Sequence, residues 1–316
     1  MNAKCGQILV TGGAGFIGSH LCRRLTALGH EITVIDNLSN GFRENVLPEA
    51  RFLKLDLTRS DFVQELPAGR YTAVCHLAGQ SSGEMSFENP LYDLDANARA
   101  TLLLSRWALE NDIPTFLFAS SMSVYGQVNS HPVPESTLPR PISYYGASKY
   151  SAEHILQVAD RNGMRSVSLR LFSVYGPGQN LANMKQGMVS IYLAHLLRGE
   201  PLIVKGSLDR MRDFVYVDDV IDAWTLALEK PVRGIFNVGT GLGTSVRTLI
   251  AELLAACGLN EDYPVREVEQ TPGDVFAVSA DITLIRKALS WDPKVSLREG
   301  LARMVGWARA QHGACS

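Results

Sequence analysis

The chain has 316 residues, a formal net charge of −2, 46% hydrophobic residues and 20% charged residues. That length suits one large α/β domain or two smaller ones, with a sizeable core. The near-neutral charge removes any electrostatic case for a nucleic-acid partner, and no apolar run is long enough for membrane insertion.

The five cysteines, Cys5, Cys22, Cys75, Cys257 and Cys315, are scattered, odd in number and free of CxxC spacing. That pattern points to free thiols in a reducing cytoplasm. The histidines show no HxxxH or HxH spacing, so no metal site is expected. The first ten residues run into an apolar strand without a cleavable signal pattern, and the expected location is cytoplasmic.

Gln7–Val10 reads as a buried strand, followed by a glycine-rich turn and an amphipathic helix from Phe16 to about Gly29. Strands follow at Glu31–Ile35, Arg51–Leu55 and Thr72–Leu77. Next come a helix near Leu91–Asn111, a strand at Thr115–Ser120, a helix over Tyr144–Asn162 and a strand at Ser166–Phe172. Apolar runs alternating with helical patterns predict a doubly wound α/β fold with a parallel Rossmann sheet. After Phe172 the rhythm breaks at Gly176, Pro177 and Gly178, and a smaller C-terminal α/β lobe is expected. Asp213–Val217 and Ile235–Val238 still read as strands and are expected to return to the main sheet. The resulting division is a dinucleotide-binding domain over 1–172 with 213–240, and a substrate lobe over 173–212 with 241–316.

In "ILVTGGAGFIGSHL", Gly12, Gly15 and Gly18 stand at three-residue steps between the first strand and helix. Glycines let the backbone approach a pyrophosphate, and a helix N-terminus offers free N–H groups to it. Asp36, about twenty residues on at a strand end, can bind a ribose 2′-hydroxyl and repels a 2′-phosphate. The cofactor expected is NAD. Further along, "SSMSVYG" ends a strand and "YYGASK" opens a helix, with Tyr145 and Lys149 four residues apart. Residues i and i+4 share a helix face, and an ammonium beside a phenol favours the phenolate. A tyrosine tuned in this way can take a proton from a sugar hydroxyl.

With "TGGAGFIGSH", "VIDNLSNG", "HLAGQSS", "SSMSVYG", "YYGASK", "LRLFSVYGPG", "RDFVYVDDV" and "GDVFAVSAD", nearly the whole chain resembles the extended short-chain dehydrogenase/reductases, specifically the nucleotide-sugar epimerases and dehydratases. The resemblance implies that Tyr145 is the acid/base, that Lys149 holds the nicotinamide ribose and lowers the tyrosine, and that Ser121 bonds the reacting hydroxyl. It implies that Gly12, Gly15, Phe16, Ile17 and Gly18 cradle the cofactor. Asp36, Asn37, Leu38, Ser39, Asn40 and Gly41 would hold its adenosine ribose, and Asp56 and Leu57 would flank the adenine. Leu77, Ala78, Gly79, Gln80 and Phe172 would line it, with Asn97 behind. Ser82, Ser123, Ser173, Arg212 and Val278 are the implied substrate contacts. A homodimer through the outer helices is common in the family.

Dehydratases of the family usually carry Asp-Glu where this chain has Met122 and Ser123. Methionine transfers no proton, so 4-epimerisation through a transient 4-keto sugar is expected instead. The expected pairs are UDP-glucose and UDP-galactose, or their N-acetyl forms, because Val278 stands where a bulkier residue would crowd an N-acetyl group. Family members often carry Asn where Ser173 stands and Arg where Thr271 stands, which leaves GDP, CDP or dTDP open as the nucleotide. Arg210 and Lys205 could supply missing charge to the diphosphate or be simply solvated. A 4-ketosugar reductase and a non-catalytic NAD-sensing protein remain the alternatives. His76 reads as a packed histidine, and Trp107, Trp224, Trp291 and Trp307 as core or interface residues.

Overall fold

The computed structural model describes residues 6–128 and 131–313. Cys5 and Cys315 lie outside the described residues; Cys22, Cys75 and Cys257 are buried free thiols. In chain order the first half runs β1 (Gln7–Thr11), α1 (Phe16–Ala27), β2 (Glu31–Asp36), β3 (Arg51–Lys54), β4 (Tyr71–His76), α2 (Gly83–Glu88), α3 (Pro90–Leu94), α4 (Ala100–Glu110), β5 (Thr115–Ser121), α5 (Tyr144–Arg161) and β6 (Arg165–Leu171). The second half runs β7 (Ser173–Tyr175), α6 (Met188–Leu197), β8 (Leu202–Lys205), β9 (Met211–Arg212), β10 (Phe214–Tyr216), α7 (Val217–Glu229), β11 (Gly234–Val238), β12 (Thr244–Ser245), α8 (Val246–Cys257), β13 (Val265–Val268), α9 (Thr283–Leu289) and α10 (Leu297–Gly313).

The main sheet has seven strands in the order β11-β6-β5-β4-β1-β2-β3, and every pairing in it is parallel. Successive side chains on a strand face opposite sides, and two separate cores record this. Leu9, Val74, Phe116 and Phe118 pack against Ala100, Leu104, Ala152 and Leu156 of α4 and α5. Ile8, Val10, Cys75 and Leu117 pack against Leu21 and Leu25 of α1 and Val220 and Trp224 of α7. Both faces are therefore covered, which explains strands that read as nearly continuous apolar runs. The chain leaves β1 toward β2 and later returns on the other side of β1 at β4, so a crevice opens between these strands at their C-terminal ends.

One expectation is refined and one is overturned. The helix expected over Leu91–Asn111 forms, running without interruption from Pro90 to Glu110, but it widens into a π turn at Asp95–Arg99 before α4 begins. Ile235–Val238 joins the main sheet, but Phe214–Tyr216 does not; it pairs in parallel with Ser173–Tyr175. The position beside β6 is already taken by β11, so β10 has no free edge there. The loops that follow are pinned by the buried Asp213 carboxylate, which accepts N–H bonds from Thr240, Gly241 and Ala280 at 2.7, 2.9 and 3.0 Å. Trp224 and Trp291 are core residues, whereas Trp107 and Trp307 are partly buried at its margins.

Helix α5 carries a buried stripe at Tyr145, Lys149, Ala152, Leu156 and Ala159, the helical spacing of a core face. Glu153, also buried on α5, accepts two bonds from the Arg170 guanidinium of β6 at 2.9 and 2.7 Å. Arg170 lies 4.7 Å from the Tyr125 ring, and Ser120 donates to Glu153. Removing one partner of such a pair strands the other charge in the interior. Glu153→Gln is expected to cost about 3 kcal/mol of stability, read as a lowered urea midpoint at unchanged slope. A loss within experimental error would show that the pair does not anchor α5.

Candidate active site

The crevice is a cleft of about 960 Å³. At one end, Gly12 has φ +74°, and a Cβ there would sit 2.6 Å from the Ala78 nitrogen. The two loops that leave β1 and β4 thus touch through backbone alone. Helix α1 begins just after this turn with no side-chain cap and no acid in its first turn. By contrast, the N-termini of α2, α5 and α8 are capped by Ser82, Ser143 and Ser245. Its free N–H groups and dipole suit an anion. Asp36 is fixed by the N–H groups of Ala14 and Leu38 at 3.0 and 2.8 Å, which leaves its remaining lone pairs for ribose hydroxyls. Burial pushes its carboxyl up, and those two N–H bonds oppose this. Asp56 is partly buried, which works against ionisation, but bonds from Thr58 and Asn37 hold it below the usual range. A glycine cradle, an uncapped helix end and a strand-end carboxylate fit a dinucleotide with a free 2′-hydroxyl.

The other half of the chemistry sits where β5 ends. Ser121 caps the short turn after β5; its Oγ accepts the Ser123 N–H at 3.1 Å and lies 3.2 Å from Ser123 Oγ. Ser143 caps α5 through the Gly146 N–H at 3.0 Å, which places Tyr145 in the first turn and Lys149 one turn later. Tyr145 is 8% exposed and Lys149 3%, whereas the neighbouring Tyr144 is 52% exposed. Lys149 donates to the Ala119 carbonyl at 3.1 Å, and its Nζ lies 4.8 Å from the Phe118 ring centre and 5.9 Å from that of Tyr145. Burial pushes Tyr145 up to about 12, opposed by a hydrogen bond with Ser121. Burial also brings Lys149 down to about 8, opposed by the charges of Asp93 and Glu153. The expectation that Lys149 lowers the tyrosine is therefore outweighed in the protein alone: loss of solvent dominates both groups.

The cleft wall includes Gly12, Gly15, Phe16, Ile17, Gly18, Asp36, Asn37, Ser39, Asn40, Gly41, Asp56, Leu57, Leu77, Ala78, Gly79 and Phe172. Ser82, Ser121, Ser123, Tyr145, Lys149 and Ser173 line it as well. Leu38, Gln80, Asn97, Arg212 and Val278 are not among its lining residues. Leu38 packs on the core, and Gln80 turns inward to Asp93 and Ser82. Asn97 is buried behind the wall. Arg212 is held inside by Asp274 and the Val275 carbonyl, while Arg210, paired with the same Asp274, does reach the cleft. Lys205 lines the cleft too, paired with Glu84. Val278 is 2% exposed in the main core, so a tyrosine there would overpack the interior rather than crowd a sugar. Met122 lines the cleft and packs on the core. His76 bonds to Thr11 and Thr101 at 2.6 and 3.1 Å, and burial takes it down to about 3. It is a packed residue.

Gln179, Lys185 and Gln186 also line the cleft, as do Tyr192 and His195 of α6, and none was marked in the sequence. The 179–186 segment straps the two sides together: Asn183 donates to Asn40 at 3.1 Å, Gln186 to Ser81 at 2.6 Å and Lys185 to Glu88 at 2.8 Å. The only local signal was a segment rich in Asn, Gln and Lys between Gly178 and Gly187, both at positive φ.

A crevice at a β1/β4 reversal, with a buried Ser–Tyr–Lys constellation at its far end, defines a dinucleotide-dependent enzyme of the short-chain dehydrogenase/reductase type. The profile of the NAD dependent epimerase/dehydratase family matches residues 8–239. A putative UDP-glucose 4-epimerase of Methanocaldococcus jannaschii is 35% identical over 96% of this chain and 98% of its own. The UDP-glucose 4-epimerase of Thermotoga maritima, solved with UDP-glucose, superposes with a TM-score of 0.92 at 38% identity over 97% of this chain and 99% of its own. The Thermus thermophilus UDP-glucose 4-epimerase, solved with NAD, gives 0.88 at 36% identity over 96% and 99%. The chain belongs to the NAD-dependent epimerase/dehydratase family. It groups there with nucleotide-sugar 4-epimerases, isomerases whose cofactor is NAD.

Two outcomes follow from this geometry. Asp36→Ala is expected to weaken NAD about tenfold or more, since a hydrogen bond to a charged group is lost, and to erode discrimination against NADP. Equal affinity of the unmodified protein for both dinucleotides, measured by calorimetry, would remove Asp36 from that role. The second concerns stability. Lys149 falls from 10.5 in the unfolded chain to about 8 in the fold, so below pH 8 the native state must bury a charge. The part of stability owed to Lys149 therefore rises between pH 8 and 10.5. Lys149→Met is expected to be more stable than the unmodified protein at pH 7 by about 2 kcal/mol. That margin should narrow by pH 9.5; a margin independent of pH would show that the ammonium is not the cause.

Proposed function

We propose that the protein interconverts UDP-glucose and UDP-galactose by inverting C4 of the sugar, with Tyr145 as the single acid/base. The observation that carries this reading is the convergence of Ser121, Tyr145 and Lys149 at one end of the cleft, beside Met122 rather than an acid. NAD, when bound, would supply a reversible hydride acceptor for C4. Tyr145 takes the C4 hydroxyl proton and gives it back after the 4-keto sugar has turned over in the pocket. Ser121 holds the reacting oxygen within the same hydrogen bond. Lys149 places positive charge beside the forming phenolate and is within reach of the nicotinamide ribose. With no carboxyl at position 122, no group is placed to eliminate water from the sugar.

Arg210 and Lys205 on the wall support a diphosphate site. Arg210 and Arg212 share the one Asp274 carboxylate, so this corner keeps excess positive charge for phosphate oxygens. The strap over the cleft favours a cofactor retained through each turnover, as an epimerase requires and a ketosugar reductase does not. Exposed Leu91, Leu102 and Val158 on α3, α4 and α5 support a homodimer through these helices. No described helix is long and apolar enough to cross a membrane. The reading includes a cytoplasmic setting.

Tyr145→Phe is expected to keep the fold and bound NAD while lowering turnover at least about a hundredfold. Near-normal turnover would remove Tyr145 from the reaction. The sugar is tested by offering UDP-, GDP-, CDP- and dTDP-hexoses, plain and N-acetylated, to the purified enzyme without added NAD and reading C4 stereochemistry by NMR. Conversion of the UDP-glucose pair is the expected result. Inversion confined to another sugar or nucleotide would replace that substrate.

A further inference from the structure

A polar cluster lies directly behind Tyr145 and Lys149, and the reaction described above gives it no role. At its centre is Asp93, on α3 and 0% exposed. Its Oδ1 accepts bonds from Gln80 Nε2 at 2.8 Å and Asn97 Nδ2 at 3.3 Å, and its Oδ2 accepts from Ser148 Oγ at 2.5 Å. The three donors come from three separate pieces of chain. Gln80 ends the loop that lines the cofactor end of the cleft, Asn97 sits in the π turn, and Ser148 lies between Tyr145 and Lys149 on α5. Asn97 ties them further, donating to the Gln80 carbonyl and to Ser148, both at 3.1 Å. Its Oδ1 is buried without a hydrogen-bond partner among the described residues. A Cβ built on Gly79 would strike that oxygen and lie 3.2 Å from Lys149 Nζ. The cluster and the ammonium therefore face each other across Gly79.

We propose that Asp93 is a positioning residue for this reaction: its carboxylate locks α5, the π turn and the Leu77–Gln80 loop together and is the counter-charge to the Lys149 ammonium. The other charged or titratable groups around Lys149 do not fill that place. Glu153 also favours the ammonium, but it is the smaller of the two contributions, and its carboxylate is shared with Arg170 in a two-pronged pair. His76 on β4 is held neutral by burial. Tyr145 is a protonated phenol until it reacts, and Phe118 offers only its ring face. Asp93 instead receives neutral donors, and among the described residues no arginine, lysine or histidine lies within 4.0 Å of it. Its negative charge acts on both reacting groups, raising Tyr145 as well as Lys149.

The test is Asp93→Asn in the NAD-loaded enzyme, which keeps the shape and removes the charge. This proposal rests on the acid/base reading of Tyr145, and the two fail differently. An active Tyr145→Phe enzyme removes that reading; unmoved pH limbs in a Tyr145-dependent enzyme remove only the role of Asp93. Without the carboxylate, both Tyr145 and Lys149 should lose protons more readily. The acid and alkaline limbs of the kcat profile for UDP-galactose conversion should both move to lower pH, by about one unit. The Lys149 titration, followed by carbon NMR of labelled lysine and assigned by its absence in Lys149→Met, should move the same way whatever the sugar. Asp93→Glu should restore the limbs. A structural role alone would lower kcat or Tm and leave both limbs and the lysine titration in place, which overturns the proposal. Asp93→Ser serves as a second neutral variant. If neither neutral variant folds with NAD, Asp93 is a structural residue and the proposal fails.

Discussion

The Lys149 ammonium, enclosed between α5 and the end of β5, is the constraint around which the site is arranged. A buried cation without compensation would lose its proton or unfold its surroundings. Here it has one carbonyl, one aromatic face and two carboxylates within electrostatic reach. Each of these must be held still by something else. Ser143 fixes where α5 begins, Arg170 fixes Glu153, and Ser148, Asn97 and Gln80 fix Asp93. The helix that carries Tyr145 is thus anchored at its cap, on its flank and at its centre, and each anchor is polar and buried. Buried polar networks of this kind place groups with little slack, and here the Asn97 Oδ1 is the one atom of the Asp93 cluster left without a partner among the described residues.

The opposite end of the cleft works by the reverse principle. Helix α1 is left without a cap or an acidic first turn, so its amide groups remain available to an anion. Glycines at Gly12 and Gly18 bring backbone so close that no side chain fits between the turn and its neighbours. One end therefore fixes charged side chains inside the protein, and the other exposes bare backbone. A dinucleotide spanning the two would be held at its pyrophosphate by the free N–H groups of α1 and would present its reactive ring toward Tyr145. The parallel sheet makes this span possible, because β1 and β4 are neighbours whose connections depart in opposite directions.

What was legible in the sequence was local. The glycine steps, Asp36 at a strand end and the Tyr–Lys spacing each depend on residues within one turn or one βα unit, and each was found by its own pattern. Arg212 and Val278 read as substrate contacts because of their place in linear motifs. The fold turns Arg212 toward Asp274 and buries Val278, and no local pattern reports a side chain's direction across a separate strand pair. Phe214–Tyr216 was read correctly as a strand but assigned to the wrong sheet, since the competing strand lies beyond it in the chain. The strap at 179–186 has neither periodicity nor a chemical motif; only its bonds to Asn40, Ser81 and Glu88 reveal it.

Asp93 illustrates why the remainder was hidden. In sequence it is one acid among Leu91, Tyr92, Leu94 and Asp95, with nothing to separate it from a solvated helix face. Its partners lie 13, 4 and 55 positions away. Asp93 and Asn97 stand four apart on one face of the helix that runs from Pro90 to Glu110, whereas Gln80 and Ser148 reach them only through the packing of that helix against α5 and the loop after β4. An acid and an amide four apart are as common on a solvated helix face as on a buried one, so their spacing alone does not mark them. The carboxylate, the amide and the hydroxyl come together behind a buried lysine through tertiary packing, which no single stretch of sequence reports.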